Sequence, residues 1–183
     1  MNKAKRIFMI ADIRDNPTKL FLNRVRQLAK GFIRQGHDVV TVSYCGTLFQ
    51  VSTVKISLLT RLIYKAKIDQ LLAQQIKAYN PEIVIFWFPK YADQNSAELL
   101  RQAAPGAPFI GMDVDIWPEL HEGRINTAAT LDLVFTTFDG TGLETYKKAG
   151  VRCVFIPNLC DPTSNTVILS KINGSRRFCS QGR

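Results

Sequence analysis

The sequence predicts an α/β protein built on a Rossmann-like, open and mostly parallel sheet of about six strands with helices on both faces. Three observations carry that expectation. The period of apolar residues switches repeatedly along the chain, between strand-like runs and segments with helical spacing. The run Ile83-Val84-Ile85-Phe86-Trp87-Phe88 is apolar without alternation, as in a central strand covered on both faces. Helices placed between successive strands supply the crossovers that parallel neighbours require.

The elements follow in order. Ile7 to Ala11 is a first short buried strand. Leu20, Val25, Leu28, Ala29, Phe32 and Ile33 fall at helical spacing, and Gly36 is placed to stop that helix. Val39 to Val42 is the second strand. Leu58 to Tyr79 is helical in composition, and Asn80-Pro81 ends it, because a residue before proline is pushed away from helical angles. Ile83 to Phe88 is the third strand, closed by Pro89. A short helix from Ser96 to Ala103 leads to a strand from Phe109 to Met112, and Leu131 to Phe135 is the fifth strand. Gly142 to Ala149 is a helix stopped by Gly150, and Cys153 to Ile156 is the last strand.

With 183 residues and 46% hydrophobic content, the chain suits one domain over residues 1–162, followed by a basic tail over 163–183 read as disordered or foreign. A domain of this size buries roughly 70% of the surface its unfolded chain exposes. The start has the basic flank of a signal peptide, but its apolar run is short and meets Asp12 at once. No run approaches the roughly 18 apolar residues of a membrane span, so the chain is expected to be soluble or peripheral, and its four cysteines read as free thiols of a reducing cytoplasm. A peripheral contact at the inner face of the membrane is an option through Val51 to Lys67, where Lys55, Arg61, Lys65 and Lys67 accompany apolar residues. The plainer use of that segment is a helix packed on the sheet with a solvated basic face. Cys45, Cys153, Cys160 and Cys179 show no C-x-x-C spacing, and with only His37 and His121 beside them they argue against a metal site.

The net charge of +9 is uneven: Lys171, Arg176, Arg177 and Arg183 give the tail +4, leaving +5 for residues 1–162. No aromatic-rich binding signature, zinc spacing or recognition helix accompanies this charge, which argues against a nucleic-acid partner.

In open parallel sheets ligands bind beyond the carboxyl ends of the strands. Those ends are Asp12–Asn16, Ser43–Gly46, Pro89–Asp93, Asp113–His121 and Thr136–Asp139. The first lacks the glycines of a dinucleotide turn, and no G-x-x-x-x-G-K-[ST] loop exists, so neither NAD chemistry nor a nucleoside-triphosphate cradle is expected. A phosphorylation receiver would need an acceptor aspartate after the third strand, where Phe88-Pro89-Lys90 stands.

The densest chemistry lies in Gly111 to His121. A sugar acceptor needs hydrogen-bonding groups for hydroxyls, an apolar platform for a ring face and, for an inverting transfer, a base. Asp113 and Asp115 are the catalytic candidates, with Asp12, Trp117, His121 and Asp139 as acceptor-binding candidates. The same residues have structural uses: Asp113 or Asp115 as a helix cap, Trp117 in packing, His121 in solvent, and Asp139-Gly140 as a turn and cap.

Pro157-Asn158-Leu159-Cys160-Asp161-Pro162 resembles the P-N-G-x-D segment that joins the acceptor and donor domains of two-domain glycosyltransferases of the GT-B type. Together with Thr136 to Gly150 it looks closest to the spore-maturation-like (CgeB-like) branch and its relatives in family 1 and family 4, over residues 5–162. The resemblance implies an N-terminal acceptor domain with Asn158 and Asp161 in the interdomain linker, and a nucleotide sugar as donor substrate, gripped by a second domain; no cofactor is implied for this chain. Leu159 replaces the linker glycine, Met112-Asp113 stands where many family 4 members carry histidine and aspartate, and the glycine-rich first turn is missing. The tail has too few apolar residues to build a donor domain. The expectation is therefore an acceptor half, truncated, frameshifted or split, with a separate donor domain as one partner and a sugar-containing acceptor as the other. The alternative is a non-catalytic binding or partner module.

Overall fold

The computed structural model describes residues 3–13, 24–51, 58–89, 92–114 and 120–157, the side chains of 48–51 and 58–63 excepted. Asp115, Trp117, Asn158 and Asp161 lie outside these residues, as do the tail and much of the basic segment after Val51.

The elements run β1 (Arg6–Ala11), α1 (Arg24–Arg34), β2 (Asp38–Ser43), α2 (Tyr44–Val51), α3 (Leu58–Tyr79), β3 (Ile83–Phe86), α4 (Gln94–Ala103), β4 (Phe109–Asp113), α5 (Glu122–Ala129), β5 (Leu133–Thr136), α6 (Thr141–Lys148) and β6 (Cys153–Phe155). The strands form one sheet in the order β2-β1-β3-β4-β5-β6, with all five pairings parallel. The expected α/β, Rossmann-like architecture is thus present. The direction of strand addition reverses between β1 and β3, which makes that junction the topological switch point.

Strand parity divides the core in two. Phe8, Ile10, Val84, Phe86, Phe109 and Val134 turn to one face, where Tyr44 of α2, Ile68, Leu72 and Ile76 of α3, Leu100 of α4, Ala128 of α5 and Tyr146 of α6 cover them. The four-residue spacing of Ile68, Leu72 and Ile76 keeps one stripe of α3 on the sheet. Ile7, Met9 and Ala11 turn to the other face and meet Val25 and Ala29 of α1. That second cluster continues through Ile85 and Met112, with Phe135, Val114 and Ile156 packed against it. β1 is buried on both faces from Ile7 to Ala11, as its unbroken apolar run requires.

Chain reversals obey the sequence. At the end of α1 the Gly36 N–H donates to the Ile33 carbonyl and the His37 N–H to the Phe32 carbonyl, with Gly36 at φ 85°. Gly150, at φ 75°, closes α6 with the same pair of bonds, to Lys147 and from Val151 to Tyr146. Asn80, before Pro81, leaves the helical region for φ 51°.

Three boundaries differ from expectation by two residues, the other displaced ends among the described residues by one, and two helices are additional. β3 ends at Phe86 instead of Phe88: Trp87 N–H still reaches the Ile10 carbonyl at 2.8 Å, but Phe88 takes φ 37° and turns the chain out of the sheet. β5 starts at Leu133, because the Asp132 carboxylate is drawn to the Phe109 N–H at 2.7 Å and to Arg101. α4 starts at Gln94, two residues early, behind a capping box in which the Asp93 side chain accepts from the Ser96 N–H. Helices α2 and α5 were not anticipated. α2 contains Gly46 and draws on Asp12, distant in sequence, as acceptor for its Cys45 N–H at 3.2 Å. α5 is opened by a histidine, an uncommon cap, and carries a glycine at its second position. Among the described residues no helix is long and apolar enough to cross a membrane.

Candidate functional site

A cleft of about 240 Å³ opens beyond the carboxyl ends of β3 and β4. Phe88, Pro89 and Ala92 give it an apolar wall, and Asp93, His121, Gly123, Arg124 and Thr127 give it a polar one. Asp93 leads into α4 and His121 leads into α5, so the two helix starts form its lips.

The α5 lip is built on Asp113. Phe109, Gly111 and Asp113 share one face of β4 by the two-residue period of a strand, and that face looks toward α5 and α6. Asp113 is fully buried. Its carboxylate accepts from Arg124 through Nε at 2.9 Å and through Nη2, and from the Tyr146 hydroxyl at 2.6 Å. The Arg124 guanidinium lies 4.8 Å from the centre of the Phe88 ring. That ring lies close over β4, because a Cβ on Gly111 would come within 3.0 Å of it. Burial and the neighbouring Asp113 charge push the Tyr146 phenol far above its ordinary range, so it stays a donor.

The α4 lip is built on Asp69 of α3, also buried, which accepts from Tyr44 Oη at 2.6 Å, Ser96 Oγ at 2.9 Å and Lys65 Nζ at 3.0 Å. Lys65 also bridges to Asp93 at 3.0 Å. Burial alone would lower the Lys65 pKa, but the two carboxylates outweigh it and raise it. Burial would likewise raise Asp93; the Ser96 N–H and Lys65 overcome that and hold its carboxyl below the usual range. Tyr44 is pushed up strongly, first by burial and then by Asp69.

The sequence-selected residues fall in different places. His121 lines the cleft, exposed, with Nδ1 accepting the Gly123 N–H at 3.1 Å as the cap of α5. Asp113 lies behind the cleft wall, joined to it through Arg124. Both its oxygens are engaged and none of it is exposed, which suits holding Arg124 better than exchanging a proton with a ligand. Asp12 stands at the end of β1, beside the switch point, occupied with the start of α2. Asp139 is exposed on the turn before α6, where Gly140, at φ 68°, holds the cap position with no side-chain bond. Asp12 and Asp139 are not among the residues lining the cleft. The sequence reading assigned Phe88 to the third strand and Lys65 to a basic helix face, and it singled out neither Arg124 nor Asp69. Only the Asp93-x-x-Ser96 capping pattern offered a local signal for its lip.

Lys65 points inward to two carboxylates, so it does not belong to an outward basic face; Lys67 is exposed. No group of three or more His, Cys, Asp or Glu able to hold a metal ion occurs among the described residues. A scan of the sequence against models of known protein families finds no match, and a comparison with curated proteins finds none either.

Proposed function

We propose that this chain is the acceptor-binding half of a GT-B type glycosyltransferase, moving a sugar from a nucleotide sugar to a glycan, lipid or protein acceptor on the cytoplasmic side, in company with a donor-binding domain. The observation that carries the reading is the cleft beyond β3 and β4 of an all-parallel sheet, in a chain that continues after β6 into Pro157-Asn158-Leu159-Cys160-Asp161. Its volume suits one sugar ring. Phe88, Pro89 and Ala92 offer an apolar wall for the ring face, and His121 and Asp93 offer groups for hydroxyls. The first strand lacks a phosphate-binding glycine turn, in keeping with a nucleotide held elsewhere. In this reading Asp115 is the catalytic candidate, Trp117, Asp12 and Asp139 belong to acceptor binding, Asp113 fixes Arg124, and Asn158 and Asp161 lead toward the donor domain.

The test is an amide-resolved NMR titration with millimolar methyl glycosides and, separately, with NAD and a nucleoside diphosphate. The reading expects the glycosides to move Ala92, Gly123 and Thr127. Shifts there from the nucleotides alone would overturn it. The occupied oxygens of Asp113 favour a second reading, a non-catalytic binding or partner module. Incubation with nucleotide sugars and acceptors separates the two: measurable transfer excludes the second, and glycoside binding without turnover supports it.

A further inference from the structure

His121 stands at the mouth of the cleft with its ring over the start of α5. A Cβ on Gly123 would come to 3.3 Å from Nδ1 and 3.6 Å from Cε1, so the glycine makes room for the ring to lie there. Nδ1 accepts the Gly123 N–H. A backbone N–H can only donate, so Nδ1 carries no proton in this arrangement, and the ring proton of the neutral imidazole sits on Nε2. The two ring nitrogens point nearly opposite ways, which leaves Nε2 as the nitrogen offered to a ligand.

We infer that His121 is a ligand-orienting hydrogen-bond donor through Nε2–H, and not the base that takes a proton from the acceptor. The cleft therefore selects a ligand that presents an oxygen acceptor at its α5 lip, such as a ring hydroxyl oxygen or an acetamido carbonyl. This rests on the glycan-acceptor reading for the ligand's class, while the tautomer stands on the protein alone. The charged neighbours fit the assignment. Arg124 is paired with Asp113, and the Asp93 carboxylate can only accept, so a neutral donor at His121 is the group that meets an acceptor oxygen of a neutral sugar.

Two measurements test it. Long-range proton–nitrogen correlation at about pH 8 reads the tautomer, and His37, whose Nδ1 accepts the Lys5 N–H at 3.2 Å, serves as the internal reference. Both rings should show a protonated Nε2; a protonated Nδ1 at His121 would overturn the inference. Binding of methyl N-acetylglucosaminide is then compared in wild type, His121→Asn and His121→Ala. Asparagine keeps a capping oxygen but cannot extend a donor as far into the cleft. Loss of one net hydrogen bond weakens binding about three- to tenfold. The expected pattern is that weakening in His121→Asn with thermal stability kept, and loss of both in His121→Ala. Unchanged affinity in His121→Asn overturns the donor role while leaving the glycan reading in place. If no methyl glycoside moves any cleft amide, the glycan reading fails and the inferred ligand class with it, whatever the tautomer.

Discussion

The two lips of the cleft are made of the same parts in different proportions. Each has a buried aspartate, a tyrosine hydroxyl donating to it at 2.6 Å, and one cation. At the α5 lip the arithmetic is one anion and one cation, Asp113 and Arg124, closed around a fully buried carboxylate. At the α4 lip it is two anions and one cation, with Lys65 shared between buried Asp69 and the half-exposed Asp93. A closed pair gives rigidity, and an open triad leaves a carboxylate facing the cleft. The comparison predicts that the α5 lip carries the larger structural penalty when broken, and that Asp93 gives the α4 lip a sensitivity to acid.

The largest effect is expected from removing one buried carboxylate. Asp113→Ala strands a mostly buried guanidinium, 16% exposed, and breaking such a pair costs about 3–5 kcal/mol. Asp69→Ala leaves Lys65 with Asp93 as partner, so its cost should fall nearer about 1–3 kcal/mol. Urea denaturation of the two variants compares them directly, and equal costs would dissolve the distinction between closed and open lips. The next effects come from the hydroxyls. Tyr146→Phe and Tyr44→Phe each delete one bond to a charged group, about 1.5–3 kcal/mol. Both tyrosines have raised folded pKa values, so the stability they contribute is full below the unfolded value of about 10 and is lost as pH rises beyond it. In each phenylalanine variant the gap to wild type should therefore narrow at alkaline pH.

Acid should weaken the α4 lip through Asp93. The folded pKa of Asp93 is depressed, so its contribution is full above the unfolded value of about 3.9 and disappears as pH falls through the folded one. Asp93→Asn keeps the cap on α4 and removes the charge that Lys65 reaches. Wild type should exceed this variant by a small margin at neutral pH, and the two denaturation midpoints should converge as pH falls through the depressed folded value. A margin that persists in acid would place the effect in the cap geometry and not in the ion pair.

What the sequence revealed, and what it hid, follows the same division. The sheet was legible because each strand is a short, largely apolar run, and its ends fell within two residues of expectation at every strand. Asp113 was noticed because it ends β4, but its partners were not, since Arg124 is eleven residues on and Tyr146 thirty-three. Only the fold brings them to one face. Asp69 drew no attention at all: a charged residue inside a long helix reads as solvated, and nothing local says that Tyr44 and Ser96 will converge on it. α5 was invisible for a related reason, because its cap is a histidine and its second residue a glycine, and neither is a helix-start signal in sequence.

The smallest effect sharpens the comparison on α3 itself. Lys65 and Lys67 are two residues apart and read in sequence as members of one basic stripe, which would make them equivalent in stability and in any contact with anionic lipid. A two-residue step rotates the side chain about 200° around a helix, and the structure shows the result: Lys65 is held between Asp69 and Asp93, and Lys67 is exposed. Lys65→Ala removes a charge-assisted bond to buried Asp69 and should cost about 1.5–3 kcal/mol, whereas Lys67→Ala should fall within about 0.5 kcal/mol of wild type. In flotation with anionic vesicles at low salt, Lys65→Ala should behave as wild type, because its charge is already committed inside the protein. Any lipid binding that depends on this helix should instead weaken in Lys67→Ala. Equal loss of binding in both variants would mean that Lys65 leaves its carboxylates readily, and the α4 lip would then be a looser structure than its hydrogen bonds describe.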